Sequence, residues 1–365
     1  MTGWYNTEKE GILHRHKLRN ILKRKYGNKA LALSLMFILM SGAFASCSPF
    51  NVEETSGNML TLETEPAGDL IRVGFSQLGS ESKWRRANSI SIKDSLKVEN
   101  GFFLQFNNAR QKQESQIKAI RGFISQQVDY IVFCPVTEDG WDTVLREAKA
   151  AEIPVIILDR QVSADDSLYT TWIGENMRKE GENAGRWLAK ILDERGKSSD
   201  KINIIELLGT RGSSSQIGRS IGFDSVCDKH DNWVLLDRED GEFTTAKGQE
   251  VMAGFLKKYD DIDVVVCQND DMAIGAVQAM QEAGMDLQSD DKPIIISFDA
   301  SRQGLEMVMQ GIIDVDVECN PASGPQLSDV IHEMEQGNEV EKAYYMDEKV
   351  FTRDNASRFV DERTY

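Results

Sequence analysis

The sequence is poor in cysteine, proline and histidine, with 5 Cys, 7 Pro and 4 His among 365 residues. Five cysteines over this length exclude a small fold held together by disulfide bonds. Neither His230 nor His332 flanks a candidate nucleophile, and His14 and His16 lie close to the N-terminus. A Ser-His-Asp triad or a zinc centre is therefore disfavoured, and we expect neither enzymatic activity nor a bound metal.

Basic residues are fewer than acidic residues. Lys plus Arg is 42 and Asp plus Glu is 59, which gives a formal net charge of −17. Nucleic-acid binding is disfavoured, because it requires a basic face that neutralises phosphates. The mean hydropathy of −0.40 excludes a polytopic membrane protein. The length predicts two domains.

Charge and hydropathy set the N-terminus apart from the rest. Residues 1–29 carry a net charge of +6, and residues 30–45 form an uncharged run that turns to small residues at its end. This length and flanking charge predict a signal peptide over residues 1–46. The run ends at Phe44-Ala45-Ser46-Cys47, which resembles the lipobox of bacterial lipoproteins and implies lipidation of Cys47. An uncleaved membrane anchor and secretion with an unmodified Cys47 are the alternatives. The polar residues 47–68 are expected to form a flexible tether.

From residue 69 onward, short Val- and Ile-rich runs alternate with amphipathic segments. Strands are predicted at residues 70–75, 102–106, 130–133, 155–158, 202–207, 233–236, 264–267, 294–298 and 315–317. Helices are predicted at residues 113–126, 142–151, 179–192, 248–258 and 272–283. Continuous apolar strands separated by helices indicate parallel sheets with both faces covered. The predicted fold is α/β, with two doubly wound, Rossmann-like lobes joined by a hinge. The polar residues 161–169 are the predicted crossing between the lobes.

Polar side chains follow several of these strands, where α/β sheets bind ligands. Examples are Asp159 and Arg160, Asn269 and Asp299. Carboxylate, amide and guanidinium groups bind hydroxyls, and Trp84 and Trp141 offer rings to an apolar C–H face. The set predicts a neutral polyhydroxylated ligand such as a sugar. For a single strand-end Asp or Asn, capping of the next helix is the alternative role.

Two further patterns are weak. The glycine- and serine-rich residues 209–215 follow a strand, but they lack the Gly-Lys-Ser/Thr ending of a nucleotide loop, so we expect no nucleotide cofactor. Residues 259–263 are acidic without the spacing of a calcium loop. Cys134, Cys227, Cys267 and Cys319 are expected as small buried residues, and their pairing is left open.

The chain from about residue 70 to residue 354 resembles the type I sugar-binding proteins of bacterial ABC importers, and within them the galactofuranose-binding branch. The shared motifs include VGFSQ at 73–77, GSES at 79–82, CPV at 134–136, LDR at 158–160, GT at 209–210, FT at 243–244 and NDDM at 269–272. The resemblance implies the periplasmic binding protein type I fold. The first lobe would comprise residues 69–160 and about 300–336, and the second residues 161–299 and about 337–365.

The resemblance also implies the ligand site and the partners. The sugar would be held by Glu81, Ser82, Trp84, Arg85, Asp159 and Arg160 from the first lobe, and by Arg219, Asn269 and Asp299 from the second lobe and the hinge. Lys83 and Arg211 stand where the branch commonly has small residues, which is also compatible with a more polar or acidic ligand. We add Lys83 and Trp141 to the candidate site. The expected protein is an exported monomer that closes on a monosaccharide and delivers it to an ABC permease. The sugar would be a furanose or a pyranose, with galactofuranose as one candidate. It would touch the membrane only through its N-terminal anchor. A sensory protein that presents sugar to a membrane histidine kinase is the alternative, and an enzyme acting on sugars is a third class.

Overall fold

The Val- and Ile-rich runs form strands buried on both faces, for example at Tyr130–Phe133 and Val155–Leu158. The computed structural model describes residues 70–365. The predicted signal peptide, the tether and Cys47 therefore lie outside the described residues. Within residues 70–365, no helix has the length and apolar character needed to cross a membrane.

Twelve strands are found in the described part of the chain. They are β1 (Ile71–Gln77), β2 (Phe102–Asn108), β3 (Tyr130–Phe133), β4 (Val155–Leu158), β5 (Thr171–Gly174), β6 (Ile202–Leu208), β7 (Trp233–Asp240), β8 (Val264–Cys267), β9 (Ile294–Asp299), β10 (Val315–Glu318), β11 (Ala343–Tyr345) and β12 (Val350–Phe351). All nine predicted strands are confirmed. The short β5, β11 and β12 are additional.

The strands form two sheets of six, ordered β11-β5-β4-β3-β1-β2 and β12-β10-β9-β8-β6-β7. Every ladder is parallel except that between β10 and β12. In each sheet the first strand along the chain lies between the second and the third, so the winding reverses beside it. This is the doubly wound order, and it confirms the predicted fold class. We call the sheet that contains β1, with its helices, the first lobe, and the sheet that contains β6 the second lobe.

Helices cover the sheets. They are α1 (Lys83–Ser95), α2 (Gln113–Ser125), α3 (Asp142–Ala150), α4 (Met177–Glu194), α5 (Ser214–Cys227), α6 (Thr245–Lys258), α7 (Asp270–Glu282), α8 (Arg302–Met309) and α9 (Gly324–Glu335). Single 3₁₀ turns lie at Val98–Asn100, Asp166–Leu168, Ala356–Arg358 and Val360–Glu362. Side chains that accept hydrogen bonds from the first turn explain several helix starts, for example Ser82 before α1 and Asn269 before α7.

Each lobe has its own apolar core. In the first lobe, β3 and β4 pack against α2 and α3, and the Phe133 ring lies 4.8 Å from the ring of Trp141. In the second lobe, one cluster forms around β8, α6 and α7 and another around β6, β10, α4 and α5. Burial of this apolar surface supplies the main stabilising free energy of each lobe.

The chain crosses between the lobes three times: between β5 and α4, between β10 and α9, and between β11 and β12. The predicted crossing at residues 161–169 differs from this, because that loop leads to β5, which pairs with β4. The predicted boundary at residue 300 also differs, since β10 pairs with β9 in the second sheet. Residues 337–365 are divided, because β11 joins the first sheet and β12 the second.

Candidate functional site

Residues at the carboxyl ends of strands from both sheets surround one cavity. Its lining consists of Glu81, Ser82, Trp84, Arg85, Asp159, Arg160, Met177, Ser215, Arg219, Phe243, Asn269, Asp299 and Cys319. Nine of the eleven residues predicted for the ligand site are in this set. Parallel strands of both lobes end here, which explains why residues far apart in sequence meet.

On the first-lobe side, a buried ion pair joins the start of α1 to the end of β4. Arg85 Nη2 lies 2.6 Å from Asp159 Oδ2, and Arg85 Nε lies 3.2 Å from Glu81 Oε1. The hydroxyl of Ser82 accepts a hydrogen bond from the Arg85 amide, 3.0 Å away. Burial disfavours the charged guanidinium, but Asp159 and Glu81 outweigh this and raise the pKa of Arg85. The side chains of Glu81, Arg85 and Asp159 therefore form a fixed polar wall of the cavity.

Arg160 lies beside this wall in a less favourable electrostatic environment. Its Nη1 donates to the carbonyl of Val136 at 2.7 Å, and its guanidinium carbon lies 5.3 Å from the centre of the Phe243 ring. Burial, together with the positive charge of Arg85, lowers the pKa of Arg160 to about 10. The group stays charged at neutral pH, and a ligand oxygen that accepts from it would be favourable.

On the second-lobe side, Arg219 of α5 is held by Glu180 of α4. The distance from Arg219 Nε to Glu180 Oε2 is 2.6 Å, and Arg219 Nη2 lies 3.8 Å from Asp299 Oδ1. Arg219 Nη1 also donates to the carbonyl of Gln268. Burial raises the pKa of Asp299 well above its usual range, and the charge of Arg219 opposes that rise. The second-lobe side of the cavity, like the first, thus places a guanidinium group beside a carboxyl group.

Asn269 has both a capping and a lining role. Its Oδ1 accepts from the Met272 amide at 2.9 Å and begins α7, while its Nδ2 donates to the Phe243 carbonyl at 3.3 Å. The capping alternative considered for strand-end residues therefore applies to Asn269, although it also lines the cavity. Its amide group links the loop after β7 to α7.

Three lining residues have backbone conformations in the left-handed region. Asp159 has φ 58°, Phe243 has φ 58° and Asp299 has φ 108°. Non-glycine residues rarely adopt such angles, and strained positions of this kind cluster at functional sites. Gly209 makes room for Phe243, because a Cβ at Gly209 would lie 1.8 Å from the ring. The backbone is thus bent locally to direct these side chains.

Two aromatic rings line the cavity, one from each lobe. Trp84 of α1 is 5% exposed and donates from its Nε1 to the carbonyl of Cys319 at 2.7 Å. Phe243 follows β7 in the second lobe and is also 5% exposed. Rings of this kind pack against the apolar C–H face of a ligand.

The polar lining carries acidic and basic groups from both lobes. Three guanidinium groups (Arg85, Arg160 and Arg219) accompany three carboxyl groups (Glu81, Asp159 and Asp299). Glu81 Oε2 and Arg160 Nε are buried and have no hydrogen-bond partner among the described residues. An unpartnered buried acceptor and donor favour a ligand that both donates and accepts. Hydroxyl groups do both, so the lining favours a polyhydroxylated ligand.

Two predicted site residues lie elsewhere. Trp141 is completely buried in the first-lobe core, where its Nε1 donates to the Thr137 carbonyl at 2.7 Å. It packs on Phe133 and does not line the cavity. Lys83 is likewise not among the lining residues, and its Nζ donates to Gln303 Oε1 in the second lobe. These two side chains correct the predicted site.

Four lining residues were not predicted: Met177, Ser215, Phe243 and Cys319. Phe243 belongs to a segment that carries the resemblance, and Ser215 ends the glycine- and serine-rich loop. Those two could have been proposed from sequence. The crossings between lobes bring Met177 and Cys319 to the site, and no local pattern indicates that. Ser213 of the same loop caps α5, its hydroxyl accepting from the Gln216 amide at 3.3 Å.

In the described part of the chain, the cysteines form no disulfide and the acidic residues form no metal site. Cys134, Cys227, Cys267 and Cys319 are free, and the first, third and fourth are buried. Burial raises the pKa of the Cys134 thiol, so it remains protonated at neutral pH. Residues 70–365 hold no group of three or more His, Cys, Asp or Glu side chains arranged for a metal ion.

The two lobes are in direct contact around the cavity. The Glu138 amide donates to the Gly212 carbonyl at 2.9 Å, and the Gln161 amide donates to Ser214 Oγ at 2.7 Å. In both bonds the donor belongs to the first lobe and the acceptor to the second. The structure is therefore a closed arrangement of the cleft.

Comparison with known proteins agrees with this geometry. A family model described as a periplasmic binding protein domain matches residues 73–333. The galactofuranose-binding protein YtfQ of Escherichia coli is 37% identical over 299 residues, covering 80% of this chain and 91% of that protein. A Mycobacterium smegmatis protein solved with β-D-fucofuranose is 40% identical, with a TM-score of 0.76 and coverage of 81% and 95%. The arabinofuranose-bound binding component of an arabinose ABC transporter from Shewanella sp. ANA-3 is 39% identical, with a TM-score of 0.74 and coverage of 80% and 95%.

Proposed function

Because the chain belongs to the periplasmic binding protein family, which binds solutes without enzymatic chemistry, we propose that it captures a neutral monosaccharide in its furanose form. The observation that supports this most is the cavity itself. It combines three guanidinium groups, three carboxyl groups and an aromatic ring from each lobe. Relatives at 37–40% identity bind galactofuranose, fucofuranose or arabinofuranose. A furanose with several hydroxyls fits the same donors and acceptors.

Capture proceeds by closure of the two lobes. The sugar makes polar contacts with the Arg85–Asp159 wall of the first lobe and with Arg219, Asn269 and Asp299 of the second. Ligand contacts from both sides shift the equilibrium toward the closed form. Three chain crossings act as the hinge.

The closed form delivers the sugar to an ABC permease in the membrane. The Shewanella relative is the binding component of such a transporter, and this favours transport over the sensory alternative. The protein acts outside the cytoplasm as a monomer, and lipidated Cys47 holds it at the membrane. Replacement Cys47→Ala in the full chain should release it from the membrane fraction. Retention of that variant at the membrane would indicate an uncleaved anchor instead.

A thermal-shift screen tests the ligand class. The full chain is heated with D-galactose, L-arabinose and D-fucose, and in parallel with D-galacturonate as a charged control. A sugar present at about 100 times its Kd adds about 2.7 kcal/mol to the stability of the folded state, so Tm should rise for a neutral sugar. A rise only with galacturonate, or with none of the four, contradicts the proposal.

A further inference from the structure

One carboxylate lies at the N-termini of two helices that belong to different lobes. Asp271 is the second residue of α7, and its Oδ2 accepts from the backbone amide of Lys83 at 2.8 Å. Lys83 is the first residue of α1 in the first lobe. The first amides of a helix have no partner within the helix, and the positive end of the helix dipole stabilises an anion. The bond therefore satisfies an orphan donor and places a negative charge favourably for both helices.

The Lys83 side chain also makes a contact with the second lobe. Its ammonium donates to Gln303 Oε1 of α8, again in the second lobe. Neither Lys83, Asp271 nor Gln303 lines the cavity. The contacts thus tie the lobes together beside the ligand site without including the ligand.

These bonds differ in strength. Asp271 is buried, at 7% exposure, and a charge-assisted bond to a buried carboxylate is among the stronger hydrogen bonds. The contact of Lys83 with Gln303 is exposed, and exposed contacts contribute little. Both cross the boundary between lobes, so both require the closed arrangement. When the hinge opens, water replaces the partners.

We propose that Asp271, Lys83 and Gln303 form a latch that stabilises the closed form and so sets the affinity for every ligand by a common factor. This rests on the proposed function, since the latch acts on ligand capture. The apparent Kd equals the intrinsic Kd divided by the closed fraction, so losing the latch weakens all ligands equally. Lys83 and Asp271 are positioning residues in this account, and they do not contact the sugar.

The test uses the full chain and two probe sugars, D-galactose and L-arabinose, titrated calorimetrically. Asp271→Ala should raise both Kd values by the same factor, about tenfold or more. Lys83→Met should raise both by about two- to fivefold and leave the Tm measured without sugar unchanged. Thr245→Ala is the matched control for Asp271, because Thr245 Oγ1 donates to Asp271 Oδ1 at 3.3 Å within the second lobe. Lys118→Met, on an exposed lysine of α2, is the control for charge.

Different factors for the two sugars would make Lys83 or Asp271 a ligand contact and would overturn the proposal, as would unchanged Kd values. Small-angle scattering of the sugar-free proteins adds a measurement that needs no ligand. Asp271→Ala should have a larger radius of gyration than wild type and Thr245→Ala should not. If the wild type binds neither sugar, the proposed ligand class fails, and the scattering comparison alone decides the latch. Equal radii in that case overturn it.

Discussion

Arg85 and Asp159 form a buried ion pair at 2.6 Å that joins the N-terminal turn of α1 to the carboxyl end of β4. Both side chains are 4% exposed and both residues line the cavity. A buried pair of this kind contributes little net stability, but removal of one partner leaves an uncompensated charge. The pair therefore holds two polar groups of the cavity lining in fixed positions.

Asp159→Ala should abolish sugar binding, because it removes an acceptor and frees Arg85 to move. Breaking a buried pair costs about 3–5 kcal/mol in general, and the loss of stability here should be smaller, since Glu81 still lies 3.2 Å from Arg85. Calorimetric titration and urea unfolding measure the two effects. Asp159→Asn is the matched control, which keeps the shape. Retained affinity in both variants would rule out Asp159 as a ligand contact.

Asn269→Ala and Asn269→Asp should separate capping from ligand binding. Alanine removes the cap of α7, which costs about 1 kcal/mol of stability, whereas aspartate keeps a capping oxygen. Neither variant can donate from Nδ2, so both should lose affinity. Urea unfolding and titration of the two proteins check this. Full affinity in Asn269→Asp would assign the residue to capping alone.

Gly209→Ala should weaken ligand binding by displacing a ring. A methyl group there would lie 1.8 Å from the Phe243 ring, so the ring must move out of its position beside Arg160. Overpacking of this kind typically costs about 1–3 kcal/mol. Affinity should fall at least about tenfold, measured by titration.

Gly254→Ala is the control for that substitution. Gly254 lies in α6, and a Cβ there meets nothing within 4 Å. Alanine in a helix is favoured over glycine by about 0.5–1 kcal/mol, so this variant should be slightly more stable and bind sugar normally. If Gly209→Ala behaves like Gly254→Ala, Phe243 has no part in the site.

Glu348, in the third crossing between the lobes, should make stability depend on pH. Burial, and then the negative charge and hydrogen bond of Glu180, raise the pKa of Glu348 to about 11. The folded state therefore holds a proton that the unfolded state releases above about pH 4.3. The unfolded state binds fewer protons across this window, so the free energy of unfolding falls as pH rises from about 4.3 toward 11.

Glu348→Gln cannot release a proton, so its stability should fall less steeply with pH than that of the wild type. Chemical unfolding at pH 5, 7 and 9 gives both curves. The difference between them reports the titration of Glu348 together with Glu180, to which it is coupled. Parallel curves would show that the carboxyl group has the same pKa in both states.

Sequence alone predicts the long buried strands and the helices α2, α3, α4, α6 and α7, but not α1, α5, α8 and α9. Buried parallel strands are continuous apolar runs, and amphipathic helices such as α2 and α3 have a clear period, so local pattern and tertiary position agree. The strand β5, which lies between β4 and β11, was missed because Thr171–Gly174 is short and ends in glycine. The helix α1 was missed because polar residues occupy its buried face, including Arg85 and Asn88.

The cavity lining was predictable where lining residues lie at or just after the ends of strands, as Asp299 and Asp159 do. Trp141 was misplaced because a tryptophan near a strand end can pack into the core as readily as face a ligand, and sequence does not distinguish the two. Lys83 directly precedes the lining residues Trp84 and Arg85 in α1. Its different position around the helix places its side chain against the second lobe. Met177 and Cys319 reach the site through the chain crossings, which local patterns do not encode.

The measurement that tests the central claim most directly is calorimetric titration of the full chain with L-arabinose, D-galactose and D-fucose. The account predicts saturable one-site binding of at least one of these neutral sugars, and its loss in Asp159→Ala. Absence of binding by all three sugars, or binding that persists unchanged in Asp159→Ala, would contradict the proposal that this cavity captures a neutral monosaccharide.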